Sequence, residues 1–151
     1  MGEGARFGKI IVAFDGSKDS ANAVRMGCSL GSEYKSEVTV VHVYSSPAVG
    51  FSSASGMPIP DYRDLEEAKK DTAKGVLSRG LQLASAEGIK ARGELIEASS
   101  VVEALVEFAT NEKADLIVAG TRGMTGFKKL ILGSVSSGLV NHAPCPVLIV
   151  R

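Results

Sequence analysis

Five short apolar segments, each rich in Val, Ile or Leu, constrain this 151-residue chain more than any other feature. Longer segments with helical spacing of apolar residues lie between them. Near-continuous apolar runs are typical of strands that are covered on both faces. We predict strands over Lys9–Phe14, Glu37–Tyr44, Ala91–Ile96, Asp115–Ala119 and Pro146–Val150, and helices over Lys18–Leu30, Asp64–Glu87, Val101–Glu112 and Val135–His142.

This alternation predicts one α/β domain over residues 1–151, because strands joined by helical crossovers form parallel sheets. The expected fold is a doubly wound, Rossmann-like sheet of five parallel strands in the order 3-2-1-4-5, with helices on both faces. Ser17 and Ser100 are predicted N-caps, and Gly88 is a predicted helix stop. The Ser-, Gly- and Pro-rich segment Ser45–Pro60 predicts a long flexible loop, either a disordered excursion or a lid.

Composition excludes several classes of function. Seventeen basic residues balance seventeen acidic ones, so the chain lacks the positive field that supports binding to nucleic acids or anionic membranes. No apolar run approaches the roughly 18 residues of a membrane span, and the first residues lack the apolar core of a signal peptide. We therefore expect a cytoplasmic protein with no membrane or nucleic-acid partner. Cys28 and Cys145 are interpreted as buried small hydrophobes, because a cytoplasmic chain of this size needs no disulfide.

The strongest functional signal is a glycine-rich stretch that follows the fourth predicted strand and precedes the last helix. It contains Gly120, Gly123 and Gly133, and Ser134 follows in the position of a predicted helix N-cap. Glycines can adopt backbone angles closed to other residues and can let the chain come close to a ligand. Backbone N–H groups at such a helix start bind anions, so the stretch predicts a phosphate site.

The spacing of this stretch matches neither of two common phosphate motifs, G-x-G-x-x-G and G-x-x-x-x-G-K followed by Ser or Thr. It instead resembles the ATP-binding branch of the universal stress protein family. That motif is Gly, two residues, Gly, nine residues, Gly, then Ser or Thr, and Gly120, Gly123, Gly133 and Ser134 match each fixed position. The resemblance covers nearly the whole chain, including the segments 10–17, 41–43 and 144–150.

Topology supports the same place for a ligand. In the predicted sheet the chain reverses direction between the first and fourth strands, and ligands bind beyond the carboxyl ends at such a switch point. The first predicted strand leads into Asp15 and the fourth into Gly120. Two segments that are far apart in sequence are therefore expected to meet at one crevice.

The family resemblance implies a role for each residue around this crevice. Asp15 would bind the ribose or the edge of the base, and it could alternatively cap the first helix. The implied adenine site is formed by Ala13, Val43 and Ala119. The implied phosphate site is formed by Gly120, Arg122, Gly123, Gly133, Ser134, Val135 and Ser136, although Arg122 could equally be a solvated loop residue. The implied ligand is ATP with Mg²⁺ or Mn²⁺, whose ligands could be mostly phosphate oxygens and water.

No paired catalytic carboxylates, H-E-x-x-H, Cys/His cluster or G-x-S-x-G motif is present in the sequence. The leading hypothesis is therefore an ATP-dependent switch in a stress response, with slow hydrolysis at most. His42 is interpreted as a core histidine whose polar atoms are satisfied.

Two alternatives remain open. The segment Asp15–Ser20 is partly similar to the S-G-G-x-D-S loop of adenylating ATP pyrophosphatases, which would make the protein an enzyme. Family branches that do not retain ATP suggest a structural interaction protein. The resemblance also implies a homodimer through the C-terminal edge strand Pro146–Val150, since an exposed apolar edge needs pairing or protection.

Overall fold

The computed structural model describes residues 7–45, 62–121 and 132–151, and in these ranges strands and helices alternate. Every paired strand is parallel to its neighbour and the sheet order is β3-β2-β1-β4-β5, which confirms the predicted topology. Of the predicted loop 45–60, all but Ser45 lies outside the described residues. The elements are β1 (Lys9–Ala13), α1 (Lys18–Tyr34), β2 (Glu37–Tyr44), α2 (Tyr62–Ala86), β3 (Arg92–Glu97), α3 (Val101–Glu112), β4 (Leu116–Gly120), α4 (Ser134–His142) and β5 (Val147–Val150).

The central strand β1 supplies side chains to two separate hydrophobic clusters, one on each face of the sheet. Ile10 and Val12 pack with residues of α1 and α2, whereas Ile11 packs with residues of α3 and α4. Right-handed crossovers explain this division: the chain moves outward from β1 to β3 and then returns across β1 to reach β4. Because both faces are covered, the strands are almost continuously apolar.

Most helix ends lie where the sequence predicts them. The Ser17 hydroxyl accepts the Ser20 N–H at 3.2 Å, and the Ser100 hydroxyl accepts the Glu103 N–H at 3.2 Å, so both predicted N-caps are confirmed. Gly88 follows α2 with φ +80°, as expected of a helix stop. Within the described ranges, no helix is long and apolar enough to cross a membrane.

Helix α1 continues past its predicted end at Leu30 because Gly31 is a packing residue and not a stop. A Cβ atom on Gly31 would lie 2.5 Å from Val38 Cγ2, and one on Gly27 would lie 2.5 Å from Val12 Cγ2. The two glycines, one turn apart, therefore let α1 approach β1 and β2 closely. The helix ends instead at Lys35, whose φ of 55° is left-handed.

The two cysteines differ in burial. Cys28 is 1% exposed in the cluster under α1 and α2, which confirms the interpretation as a buried hydrophobe, and burial raises the pKa of its thiol to about 11. Cys145 is half-buried and packs against the cluster under α3 and α4, so the interpretation as a buried hydrophobe is confirmed only in part. Burial also raises the pKa of the Cys145 thiol, and both cysteines are free.

The close approach of α1 to β1 predicts different outcomes for two glycine-to-alanine changes. Gly27→Ala should lower the free energy of unfolding by about 1–3 kcal/mol, because the new methyl group overlaps the fully buried Val12. Gly75→Ala is the matched control, since nothing lies within 4 Å of its Cβ position on α2. It should raise stability by about 0.5–1 kcal/mol through helix propensity. Urea denaturation measures both, and equal stabilities would contradict the packing argument.

Candidate functional site

Thr121, the residue directly after β4, joins four structural elements at the carboxyl edge of the sheet. Its N–H donates to the Val150 carbonyl of β5 at 2.8 Å, and its hydroxyl donates to Asp19 Oδ2 of α1 at 2.6 Å. Its carbonyl accepts the Gly133 N–H at 2.6 Å and the Ser136 hydroxyl at 2.8 Å. These bonds bring the carboxyl ends of β4 and β5 together with the starts of α1 and α4.

The turn between β1 and α1 is shaped by Asp15. Its Oδ1 accepts the Ser17 N–H at 2.9 Å, and its own N–H donates to the Ser20 hydroxyl at 3.3 Å. Gly16, between them, has φ +88°, a conformation that favours glycine. Asp15 therefore forms an Asx turn before the helix, and Ser17 is the N-cap. Of the two carboxylate oxygens of Asp15, Oδ1 is the one that makes this turn.

The two motif glycines that the structure describes do not use the left-handed backbone that glycine permits. Gly120 continues β4, and Gly133 has φ −71° and ψ 171°, which is extended backbone open to any residue. Gly120 serves close packing instead: its Cβ atom would lie 2.8 Å from the carbonyl carbon of Asp19 and 2.9 Å from Ser20 N. The space beside Gly120 is filled by the first turn of α1.

The start of α4 differs from the prediction by one residue. Gly133 is the N-cap, because its carbonyl accepts the Ser137 N–H at 3.0 Å, and Ser134 is the first helical residue. Gly133 provides no side-chain acceptor, and no acidic residue lies in the first turn. Within the described part of the chain, no side chain therefore caps the first turn of α4, unlike the first turns of α1 and α3.

The remaining predicted site residues divide into an apolar and a polar group. Ser136 is 2% exposed, and its hydroxyl proton is shared between the carbonyls of Thr121 and Gly133, so it already has acceptors inside the protein. Arg122 and Gly123 lie outside the described residues. The apolar residues all belong to the hydrophobic cluster under α3 and α4. Ala119 is buried in that cluster, and Ala13, Val43 and Val135 pack against the cluster.

His42 lies beside this edge of the sheet, and its ring nitrogen Nδ1 already makes a hydrogen bond. Its Nδ1 is 2.8 Å from the Phe14 carbonyl oxygen, which can only accept, so Nδ1–H donates. This bond satisfies Nδ1, in agreement with the predicted satisfied histidine, but His42 is half-buried and does not belong to the buried core. Among the residues that the structure describes, no three His, Cys, Asp or Glu side chains form a group that could hold a metal ion.

The structure adds three residues that the sequence interpretation did not assign to the site. Thr121 and Asp19 carried a weak signal, since one lies between two motif glycines and the other in the first turn of α1. Arg79 carried none. A Cβ atom on Gly16 would lie 3.0 Å from Arg79 Nη2, so α2 brings a guanidinium to the β1–α1 turn through tertiary packing alone.

Comparison with known proteins identifies the family. The family model described as "Universal stress protein family" matches residues 6–151. Universal stress protein MJ0531 of Methanocaldococcus jannaschii is 34% identical over 144 residues, which cover 95% of this chain and 81% of that protein. The chain belongs to the universal stress protein family.

Solved structures of universal stress proteins share the fold. UspA from Lactobacillus plantarum superimposes with a TM-score of 0.82 at 23% identity, covering 98% of this chain and 100% of that one. A universal stress protein solved in complex with cAMP has a TM-score of 0.66 at 25% identity, covering 95% of each chain. The five-stranded parallel sheet is thus common to this universal stress protein and its relatives.

The Asx turn at Asp15 predicts that amide and alanine substitutions differ in this universal stress protein. Asp15→Ala should lower the free energy of unfolding by about 1 kcal/mol, because the Ser17 N–H loses its acceptor. Asp15→Asn keeps a side-chain oxygen at that place and should stay within about 0.5 kcal/mol of the wild type. Chemical denaturation of both variants measures the difference. An Asn variant as unstable as the Ala variant would contradict the role of the turn.

Proposed function

We propose that this universal stress protein binds an adenine nucleotide, with ATP as the full ligand, at the carboxyl edge of β1 and β4. Nucleotide occupancy then changes the shape of that edge or its choice of partner in a stress response, with slow hydrolysis at most. The observation that carries the proposal is the uncapped start of α4 beside the end of β4.

The helix starts distinguish where a phosphate can bind. In α1, the Ser17 hydroxyl already accepts a first-turn N–H and Asp19 places a carboxylate there. In α3, the Ser100 hydroxyl accepts a first-turn N–H and Glu103 places a carboxylate in the first turn. A bound phosphate would meet a carboxylate at either helix. Among the residues that the structure describes, the α4 start has neither a side-chain cap nor an acid in its first turn, so an anion there meets N–H groups and the positive end of the helix dipole.

The same comparison weakens the alternative of an adenylating ATP pyrophosphatase. That reading needs a phosphate within the segment from Asp15 to Ser20. In the structure, Asp15 and Ser17 use their side chains to shape the turn and cap α1. The N–H groups of Ser17 and Ser20 already have side-chain acceptors, which leaves an incoming phosphate fewer donors at this end of the crevice.

The α4 helix start alone does not bind ATP tightly. A helix dipole contributes about 0.3–2 kcal/mol to a nearby anion, whereas micromolar affinity requires about 8 kcal/mol. The rest would come from individual N–H bonds to phosphate oxygens, from Asp15 Oδ2 to the ribose hydroxyls, and from burial of adenine against an apolar wall. Ala13, Val43 and Val135 belong to one cluster and are half-buried, which suits such a wall.

Two further observations support the details of the ligand. The cAMP complex of a related universal stress protein supports the adenine nucleotide class. The spacing of Gly120, Gly123 and Gly133 with Ser134 supports a longer phosphate chain, with Arg122 contributing positive charge, because it resembles the ATP-binding branch. Mg²⁺ or Mn²⁺ would then be held mainly by phosphate oxygens and water. Asp15 and Asp19 each have a structural hydrogen bond, which favours a binding role for this edge over general-base catalysis.

Substitutions at Gly133 test the phosphate site, because its extended backbone accepts any residue. Gly133→Asp should weaken ATP binding by about 100-fold or more, since a carboxylate at the N-cap competes for the first-turn N–H groups and repels phosphate. Gly133→Asn adds the same bulk and the same cap without charge, and it should weaken ATP binding by roughly tenfold. Both side chains are good N-caps, so the melting temperature should not fall.

Isothermal titration calorimetry of both variants with ATP and with adenosine separates the contribution of the phosphates to the affinity from that of the adenosine group. The loss in Gly133→Asp should be larger for ATP than for adenosine, because adenosine has no phosphate. A folded Gly133→Asp protein with wild-type ATP affinity would show that phosphate does not bind at α4.

We also propose a homodimer through β5, predicted from the sequence as Pro146–Val150. This strand lies at one end of the sheet order, and such an edge presents unpaired backbone N–H and C=O groups. Its four residues are half-buried, and Val140 on the adjoining α4 is exposed. Light scattering over a range of concentrations should give twice the monomer mass. A monomer mass at every concentration would contradict this interface.

A further inference from the structure

The hydrogen bond between Thr121 and Asp19 joins two segments that are separated by 102 residues of sequence. Its length is 2.6 Å, and its acceptor is a carboxylate, which makes it stronger than a bond between neutral groups. Thr121 is 6% exposed, so water is largely excluded from competing for its hydroxyl. The bond therefore fixes the end of β4 against the first turn of α1.

The residue that donates this bond also makes hydrogen bonds to the start of α4. The N–H of Thr121 is held by Val150 and its hydroxyl by Asp19, so the residue is held on two sides. Its carbonyl then receives the N–H of Gly133 and the hydroxyl of Ser136. Those two residues are the N-cap and the third residue of α4. The first turn of α4 is thus hydrogen-bonded to Thr121 at two points.

We propose that Thr121 and Asp19 are positioning residues that set the first turn of α4 in its anion-binding orientation. Neither residue needs to touch the ligand for this role. The part of the inference that concerns phosphate rests on the proposed function, whereas the part that concerns α4 is independent of any ligand. A role in overall stability alone would affect all parts of the fold, and the experiment below separates the two.

Thr121→Val is the test substitution, because valine keeps the shape of threonine and removes the hydroxyl. Thr121→Ser is the rescue variant, since it restores the hydroxyl and removes the methyl group. Thr39→Val is the matched control: Thr39 is also 6% exposed, but it lies within β2 between Ile11 and Arg92, away from the carboxyl edge.

Amide hydrogen exchange by NMR measures the positioning without a ligand. In Thr121→Val the Gly133 N–H should exchange roughly tenfold faster or more, because its acceptor carbonyl is no longer held in place. The Ala143 N–H, bonded to Leu139 at the other end of α4, should be unchanged. Thr121→Ser should restore slow exchange, and Thr39→Val should leave it as in the wild type.

Ligand binding measures the consequence for phosphate. Thr121→Val should lower the affinity for ATP by roughly tenfold or more and the affinity for adenosine by less than about threefold. The difference is expected because the change acts on the phosphate end of the site. Equal weakening of ATP and adenosine would overturn the link to phosphate. Unchanged Gly133 exchange, or equal acceleration at Gly133 and Ala143, would overturn the positioning role.

The two proposals fail separately. If the wild type binds no adenine nucleotide, the proposed function is wrong and the exchange measurement still decides whether Thr121 positions α4. If Thr121→Val does not fold, the half-buried Asp19 gives the same comparison from the α1 side. Asp19→Ala should then accelerate exchange of the Gly133 N–H. Asp19→Asn keeps an acceptor oxygen, so its Gly133 exchange should stay close to that of the wild type. Equal exchange in those two variants would overturn the inference.

Discussion

Helix α1 packs against the sheet at a distance that glycine permits at three points. Gly27 faces Val12 of β1, Gly31 faces Val38 of β2, and Gly120 of β4 faces the first turn of the helix. A methyl group at any of these positions would come within 3 Å of a neighbouring atom. This contact brings Asp19 to Thr121, and the Thr121 carbonyl in turn orients α4. The geometry of the candidate site therefore starts with the packing of a helix that carries no part of the proposed phosphate site.

The electrostatic character of that edge follows from how each helix begins. The hydroxyls of Ser17 and Ser100 each accept a first-turn N–H of α1 and α3. The acids Asp19 and Glu103 complement the positive ends of the same two helices. Helix α4 begins at a glycine with neither feature. A single helix start of these three thus remains suited to an external anion. Its position beside the end of β4 results from the parallel topology, because the carboxyl ends of β1 and β4 lie at the same edge.

Particular residues show how far the sequence could be interpreted. The apolar runs located all five strands to within one residue, because strands buried on both faces leave a continuous pattern. The same method ended α1 too early at Leu30, since a glycine that packs against Val38 looks the same in sequence as a glycine that stops a helix. At the site, Gly120 and Gly133 were recognised, but neither uses the left-handed backbone that glycine permits. Spacing identifies a glycine without showing whether its small size or its backbone freedom is used.

The sequence by itself determined the fold class and the family motif, because periodicity and spacing are local properties of a chain. The strand order was a choice among doubly wound sheets, and the structure confirms it. The sequence also placed Asp15 and Gly120 at one edge, since parallel topology requires it. Only the tertiary structure decided that Gly133 and not Ser134 caps α4, that Ser136 donates to Thr121, and that Asp19 holds Thr121. The physical reason is that these bonds form between segments that meet only after the sheet has assembled, and hydrogen-bond geometry is settled by tenths of an ångström that no spacing rule contains.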